Sequence, residues 1–159
     1  MILFYTIGVY GFTEQEFFNK ITENYIDTFC DLRQRRGVRG AKYSFVNSTK
    51  LQQRLNKLEV KYSHILELAP TNDIRELQKL EDIKKGEHKR DRQVLGHIFR
   101  SEYNNRILKK FDFNSFIESL DQDGAKRVVL FCVEEKAQAC HRSIVSDKLE
   151  QLGYKITHL

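Results

Sequence analysis

Between Cys132 and Ser143 the chain reads CVEEKAQACHRS, placing two cysteines, two glutamates, a histidine and an arginine in one short stretch. Each residue type supports a particular chemistry. A thiolate is a nucleophile or a soft metal ligand. A carboxylate near a reacting group moves protons or grips a sugar hydroxyl. A guanidinium offers forked donors to a phosphate or carboxylate. The residues after Cys140 read as the start of a helix, where unpaired N–H groups and the helix dipole favour an anion. Glu134 is therefore the acid/base candidate, Cys140 the reserve nucleophile and Arg142 an anion donor. His141 is a second ligand-binding candidate, or a helix-start histidine bonded to a backbone carbonyl. Cys132 closes the apolar run VVLF, where a buried cysteine commonly behaves as a small hydrophobe.

Several sharper templates do not fit. Cysteine phosphatases and rhodaneses wrap a short loop of backbone amides between a cysteine and an arginine. Here one residue separates Cys140 from Arg142, and nine separate Cys132 from Arg142. Cys132, Cys140 and His141 are soft metal ligands, but their spacing is not that of common zinc sites, and a fourth ligand such as His64 or Asp31 would have to come from elsewhere. The sequence alone therefore assigns no metal. It also has no P-loop, no GxGxxG and no GxSxG.

The elements that must position these residues can be read from the apolar pattern. Ile2 to Ile7 is a short apolar run ending at Gly8, expected to be a buried strand. Thr13 and Glu16 have the spacing of a capping box before a helix carrying Phe17, Phe18, Ile21 and Tyr25. Tyr25 to Leu32 is rich in aromatic and β-branched residues and reads as a second strand. Asn47 or Ser48 opens a helix with Leu51, Leu55 and Leu58 on one face, and Val60 to Leu68 reads as a third strand. Asn72 or Asp73 begins a polar, helix-prone tract reaching about Lys110. Its apolar positions are sparse (Ile74, Leu77, Leu80, Ile83), which suggests a surface-packed insertion. Asn114 caps a short helix, Ser115 to Leu120; Arg127 to Cys132 is a fourth strand. A helix over 141–152 with Gly153 at its C-cap leads to a last strand, Tyr154 to Leu159.

Strands alternating with helices imply an α/β class. The expected architecture is a single three-layer domain over residues 1–159, with a mainly parallel sheet of about five strands, helices on both faces and a helical insertion around residues 73–110. Ligands of such sheets bind beyond the carboxyl ends of the strands. Four polar groups fall there: Thr6-Ile7-Gly8, Asp31-Leu32-Arg33, Tyr62 to His64, and Cys132 to Arg142. Their convergence makes Thr6, Gly8, Arg33 and His64 ligand-binding candidates, with Asp31 a catalytic-site residue orienting Arg33. Plainer readings are an Asp31–Arg33 ion pair that orders a loop and a strand-end histidine satisfied by its neighbours.

The net charge of +5 is unevenly spread. Residues 33–57 hold eight basic residues and no acid; residues 79–110 hold ten basic residues against five acids. Such tracts attract polyanions, although charge runs are also common on plain solvated faces. Three cysteines make no disulfide framework, and no apolar run is long enough for a membrane span, so a cytoplasmic protein without a membrane partner is expected.

Three functions follow. The first is an enzyme, a hydrolase or group transferase, or a binding protein, acting on a phosphate-bearing or nucleotide-like small molecule held by Arg33 and Arg142. The second is a nucleic-acid-binding module using tracts 33–57 and 79–110, with Tyr43, Phe45, Phe99 and Tyr103 for stacking. The third is a noncatalytic effector-sensing or protein-interaction domain. The sequence names neither a cofactor nor an oligomeric state.

Taken in order, TIG at 6–8, DLR at 31–33, YSH at 62–64, CVEEKAQACHRS at 132–143 and the closing GYKITHL resemble the domain of unknown function 488 family. The resemblance implies an α/β fold and a polar pocket formed by Thr6, Gly8, Asp31, Arg33, His64, Cys132, Glu134, Cys140, His141 and Arg142. It carries no settled activity. Tyr10 stands where many relatives have a small hydroxyl residue, which would narrow the pocket mouth. Leu68-Ala69-Pro70 replaces a common Leu-Gly, and the 73–110 tract is the least family-like part.

Overall fold

Alternation along the first strand sets up the whole molecule. In β1 (Leu3–Ile7) Tyr5 and Ile7 belong to one buried apolar cluster, while Phe4 belongs to another on the opposite face. The same division continues in β2 (Thr28–Asp31), with Phe29 on one side and Cys30 on the other, and in β4 (Arg127–Phe131), with Val129 and Phe131 opposed to Val128 and Leu130. A strand buried on both faces needs apolar residues at every position, which is why these segments read as runs rather than alternations. β3 (Lys61–His64) and β5 (Ile156–His158) complete the sheet and are more exposed.

The computed structural model describes residues 1–159. All five strands are parallel, in the order β3-β2-β4-β1-β5. One face is covered by α1 (Glu14–Glu23), through Phe17, Phe18 and Ile21, and by α2 (Ser48–Lys57), through Leu51 and Leu55. The other face carries α3 (Asn72–Lys85), α4 (His97–Arg106), α5 (Phe113–Gln122) and α6 (His141–Gln151). This is the α/β architecture expected from the sequence, with the sheet wholly rather than mainly parallel.

The chain steps from β2 outward to β3, and from β4 in the opposite direction past β1 to β5. The loops leaving β2 and β4, neighbours in the sheet, therefore diverge. Such a divergence opens a crevice at the carboxyl edge, the usual ligand position in a doubly wound sheet.

Local chemistry explains most boundaries. Thr13 and Glu16 form the expected capping box, and Gly86 and Gly153 take left-handed conformations (φ 64° and 92°) after α3 and α6. Some boundaries differ. The second strand begins at Thr28, not Tyr25, because Tyr25 sits in a turn after α1 with φ 52°. The third ends at His64, and Leu66–Leu68 forms a short 3-10 turn. Asp112 rather than Asn114 caps α5, accepting from the Ser115 N–H at 3.0 Å, which lets Phe113 enter the core. α3 buries Ile74, Gln78 and Asp82, whereas Leu80 and Ile83 face solvent. No helix is long and apolar enough to cross a membrane.

Candidate functional site

A cleft of about 800 Å³ opens where the β2 and β4 loops diverge. Its floor carries Arg33, Cys132, Glu134, Cys140 and His141. Arg33 lies just beyond β2. Cys132 and Glu134 follow β4, where the ladder still runs on through the Cys132 N–H to the Ile7 carbonyl (3.3 Å). Cys140 is the N-cap of α6, its sulfur accepting from the Arg142 N–H at 3.5 Å, and His141 is the first residue of that helix.

The floor is a connected set of buried polar atoms. Cys132 Sγ lies 3.3 Å from Glu134 Oε2 and 3.9 Å from His141 Nδ1, and Cys140 Sγ lies 3.6 Å from the same nitrogen. The other ring nitrogen, Nε2, is 3.0 Å from the Leu32 carbonyl. A carbonyl can only accept, so Nε2 carries a proton. The helix-start reading of His141 and the site reading are thus both satisfied by one ring. The second Glu134 oxygen receives Arg92 and Lys89, each at 3.4 Å.

Electrostatics sets these groups apart from ordinary ones. Burial opposes the Glu134 charge, but Lys89 and Arg92 overcome it and hold the carboxyl at about 2. Glu134 is therefore an anion at neutral pH, better suited to holding a cation or an S–H than to donating a proton. Hydrogen bonding with Cys140, then burial, raises Cys132 well above the usual thiol value. Burial pulls His141 down, yet Cys132 and Glu134 outweigh it and leave the imidazole raised. Cys30, buried away from the cleft beside Asp31, is pushed by burial up to about 12, consistent with an inert thiol.

The other expected site residues hold the rim together. Asp31 receives the Arg33 guanidinium at 2.9 and 2.7 Å, the Arg33 N–H at 3.1 Å and the Tyr62 hydroxyl at 2.8 Å. Its acceptor capacity is used up, so it orients Arg33 without facing the cleft. Four residues expected to touch a ligand, Thr6, Gly8, His64 and Arg142, do not line the cleft either. Thr6 bonds His158 of β5 at 2.6 Å. At Gly8 a Cβ would come within 1.9 Å of the Glu134 carbonyl oxygen, so only glycine lets the β1 and β4 loops approach. His64 Nε2 lies 2.7 Å from the Arg33 carbonyl, the satisfied strand-end histidine. Arg142 is buried, its two terminal nitrogens donating to the Glu134 and Glu135 carbonyls at 2.6 and 2.9 Å. Those donors clamp the loop and are not offered to an anion.

Arg33 differs. It lines the cleft and its guanidinium stacks on Phe131 at 4.7 Å; its buried Nη1, like the Nε of Arg142, has no partner within the protein.

The cleft walls come from the two basic tracts. Arg35 and Arg39 contribute from the first. Lys79, Lys89, Arg90 and Arg92 contribute from the second, joined by Arg75. Tyr10 lines the cleft as well, with the Arg90 guanidinium 5.3 Å from its ring centre. By contrast, Tyr43, Phe45 and Tyr103 are buried in the core away from the cleft, and Phe99, although it borders the cleft, is also buried.

Arg92, Asp82 and Gln78 were not singled out by the sequence reading. Arg92 bonds Asp82 at 2.7 Å and the Ala139 carbonyl at 3.0 Å, while Gln78 accepts from the Gly96 N–H at 2.8 Å. The available signal was the spacing: Ile74, Gln78 and Asp82 recur every fourth residue along one helical stripe.

A family model described as "Domain of unknown function DUF488" matches residues 13–149, most of the chain. The chain belongs to the DUF488 family. The matched segment includes Asp31, Arg33, His64 and the whole 132–142 cluster; the Thr6-Ile7-Gly8 element lies just before it. The comparisons with curated proteins and with solved structures each gave no match.

Proposed function

We propose that this DUF488 protein binds a phosphate-bearing, nucleotide-like molecule in the rim cleft and carries out hydrolysis or group transfer at its floor. The observation that carries this reading is the convergence of two basic tracts, separated in sequence by more than twenty residues, on one cleft at the diverging β2 and β4 loops. Exposed Arg35, Arg39, Lys89 and Arg90 supply mobile positive charge at the walls. Arg33, prefixed by Asp31 and retaining an unpartnered Nη1, supplies a rigid donor below them. A preoriented guanidinium loses little freedom when it binds a phosphate. Cys140 and Glu134 are the floor groups nearest to reacting atoms, with Glu134 acting as an anion.

A nucleic-acid-binding module would use the same charge. It is disfavoured because the four aromatics it needs for stacking are buried, only Phe99 of them bordering the cleft, so its affinity would rest mainly on phosphate contacts. A noncatalytic effector-binding domain differs from the enzyme only in turnover.

Two readouts test the proposal. Thermal shift against nucleotides, sugar phosphates, inorganic phosphate and short oligonucleotides should give stabilisation that is lost in the exposed-wall variant R35A/R90A. Phosphorus NMR of the same mixtures should show new signals with wild type and none with C140A. Binding without new signals would reduce the protein to an effector-binding domain. No stabilisation by any phosphate compound at low salt would remove the anion reading altogether.

A further inference from the structure

The cluster of sulfur and nitrogen at the floor has an arrangement that phosphate binding does not require. The Cys132 and Cys140 sulfurs and His141 Nδ1 all lie within 4.8 Å of one another, and all three residues are buried. The two sulfur–nitrogen separations, 3.6 and 3.9 Å, fall close to the roughly 3.6 Å that separates sulfur and nitrogen donors around a tetrahedral zinc ion. The ring is already in the tautomer a ligand needs. Nε2–H is committed to the Leu32 carbonyl, so the Nδ1 lone pair is the one that faces the two sulfurs. A ligating histidine is normally fixed in this way by a bond from its other nitrogen.

Charge points the same way. Two thiolates and one neutral imidazole around a divalent ion make a neutral unit, which a buried floor tolerates better than a bare cation. Glu134 stands beside this unit, with Oε2 at 3.3 Å from the Cys132 sulfur, and its other oxygen is fixed by Arg92 and Lys89. All four residues line the cleft, so an ion could enter from it. The cysteine spacing that fits no common zinc motif is explained by the fold. The loop after β4 leaves the sheet and returns at the N-cap of α6, bringing residues eight apart side by side. His64 and Asp31, the extra ligands the spacing suggested, are engaged elsewhere at the rim.

We propose that Cys132, Cys140 and His141 bind one thiophilic divalent metal ion, zinc by donor set, with Glu134 adjacent to the open position. Soft thiolates with an imidazole select zinc over magnesium or calcium. Three protein ligands and an open position are the arrangement of a zinc ion that activates a bound water. The inference stands whether or not a phosphate compound binds above the floor.

The test uses the full chain purified under a non-thiol reductant, stripped with a chelator and titrated with cobalt(II) as a spectroscopic probe and then with zinc. Wild type should take up one cobalt per chain with an intense near-ultraviolet thiolate-to-cobalt band, and zinc should displace it stoichiometrically. C132S and C140S should each weaken binding by about tenfold or more and diminish the band; E134Q should keep both stoichiometry and band. Circular dichroism on each variant separates lost binding from lost folding, and H141Q provides an independent ligand deletion. A reduced wild type that shows no thiolate band and no zinc-dependent stabilisation overturns the proposal. So does a band undiminished in both folded cysteine variants.

Discussion

At the scale of single residues, the decisive distinction is between groups whose donors are already committed and groups with capacity left. Arg142 and Arg33 look equivalent in the sequence, since each follows a strand-end motif on the same rim. Arg142 spends its terminal nitrogens on the Glu134 and Glu135 carbonyls and does not itself line the cleft, its buried Nε alone lacking a partner. R142A should therefore destabilise the fold by about 2–4 kcal/mol, since two charge-assisted bonds and a large buried side chain are lost. R142K should recover little of it, because an ammonium cannot reproduce the fork. Urea unfolding of the variants checks this, and a stable R142A with impaired ligand binding would return Arg142 to the site. Arg92 lies between the buried carboxylates of Asp82 and Glu134. R92L should cost about 3–5 kcal/mol by leaving the Asp82 carboxylate without a cation and Glu134 with Lys89 alone, and pairing it with D82N should restore part of that loss. A double-mutant cycle measures the coupling; strict additivity would mean that Arg92 and Asp82 do not stabilise one another.

At the scale of elements, the loops matter more than the strands. Gly8 allows the ends of β1 and β4 to touch, and G8A forces a methyl group against the Glu134 carbonyl. The expected outcome is a loss of about 2 kcal/mol or more, together with weakened cobalt binding as the loop shifts and displaces the ligand Cys132. Wild-type stability and metal affinity in G8A would mean that the contact is readily relieved. The insertion is fastened differently. Asp73 at the start of α3 is bonded by Thr71 and by Arg106 from the end of α4, and these partners hold its carboxyl at about 2, below its usual 3.8. The folded pKa is the lower one, so this stabilisation is present above about pH 4 and is lost as pH falls toward 2. D73N should accordingly unfold with a flatter dependence on pH over that window, read from urea midpoints at each pH. Parallel curves for the two proteins would contradict it. The existence of the strands, the α1 capping box and the glycine after α6 were legible in the sequence because apolar runs, Thr13-x-x-Glu16 and Gly153 each have one local solution, whereas the cap of α5 was not. The buried face of α3 was not. Its sparse apolar residues suggested only a surface-packed insertion, yet the helix turns Gln78 and Asp82 inward to meet a charge from a loop ten residues on. Local periodicity carries no information about such a distant partner.

At the scale of the whole molecule, strand order does what no motif could. The order β3-β2-β4-β1-β5 brings the ends of β2 and β4 together, so residues a hundred positions apart share one cleft. The sequence allowed that all four polar groups met at one rim. It did not reveal that the rim has an inside and a back, with Arg33, Cys132, Glu134, Cys140 and His141 inside and Thr6, Gly8, Asp31, His64 and Arg142 behind them. Membership of each side depends on tertiary contacts such as Thr6 with His158 and Asp31 with Tyr62. The basic tracts likewise divide. Arg35, Arg39, Lys89 and Arg90 face the cleft, whereas Lys50, Arg54 and Lys57 belong to α2 and lie outside it. The most direct test of the account is a titration of the isotope-labelled protein with a nucleotide mixture, following backbone amide signals by two-dimensional NMR. Signals from residues 32–39, 87–92 and 132–141 should move first and saturate together. Movement centred on the outer face of α2, with those three segments unchanged, would show that the charge acts elsewhere and that the cleft is not the binding site.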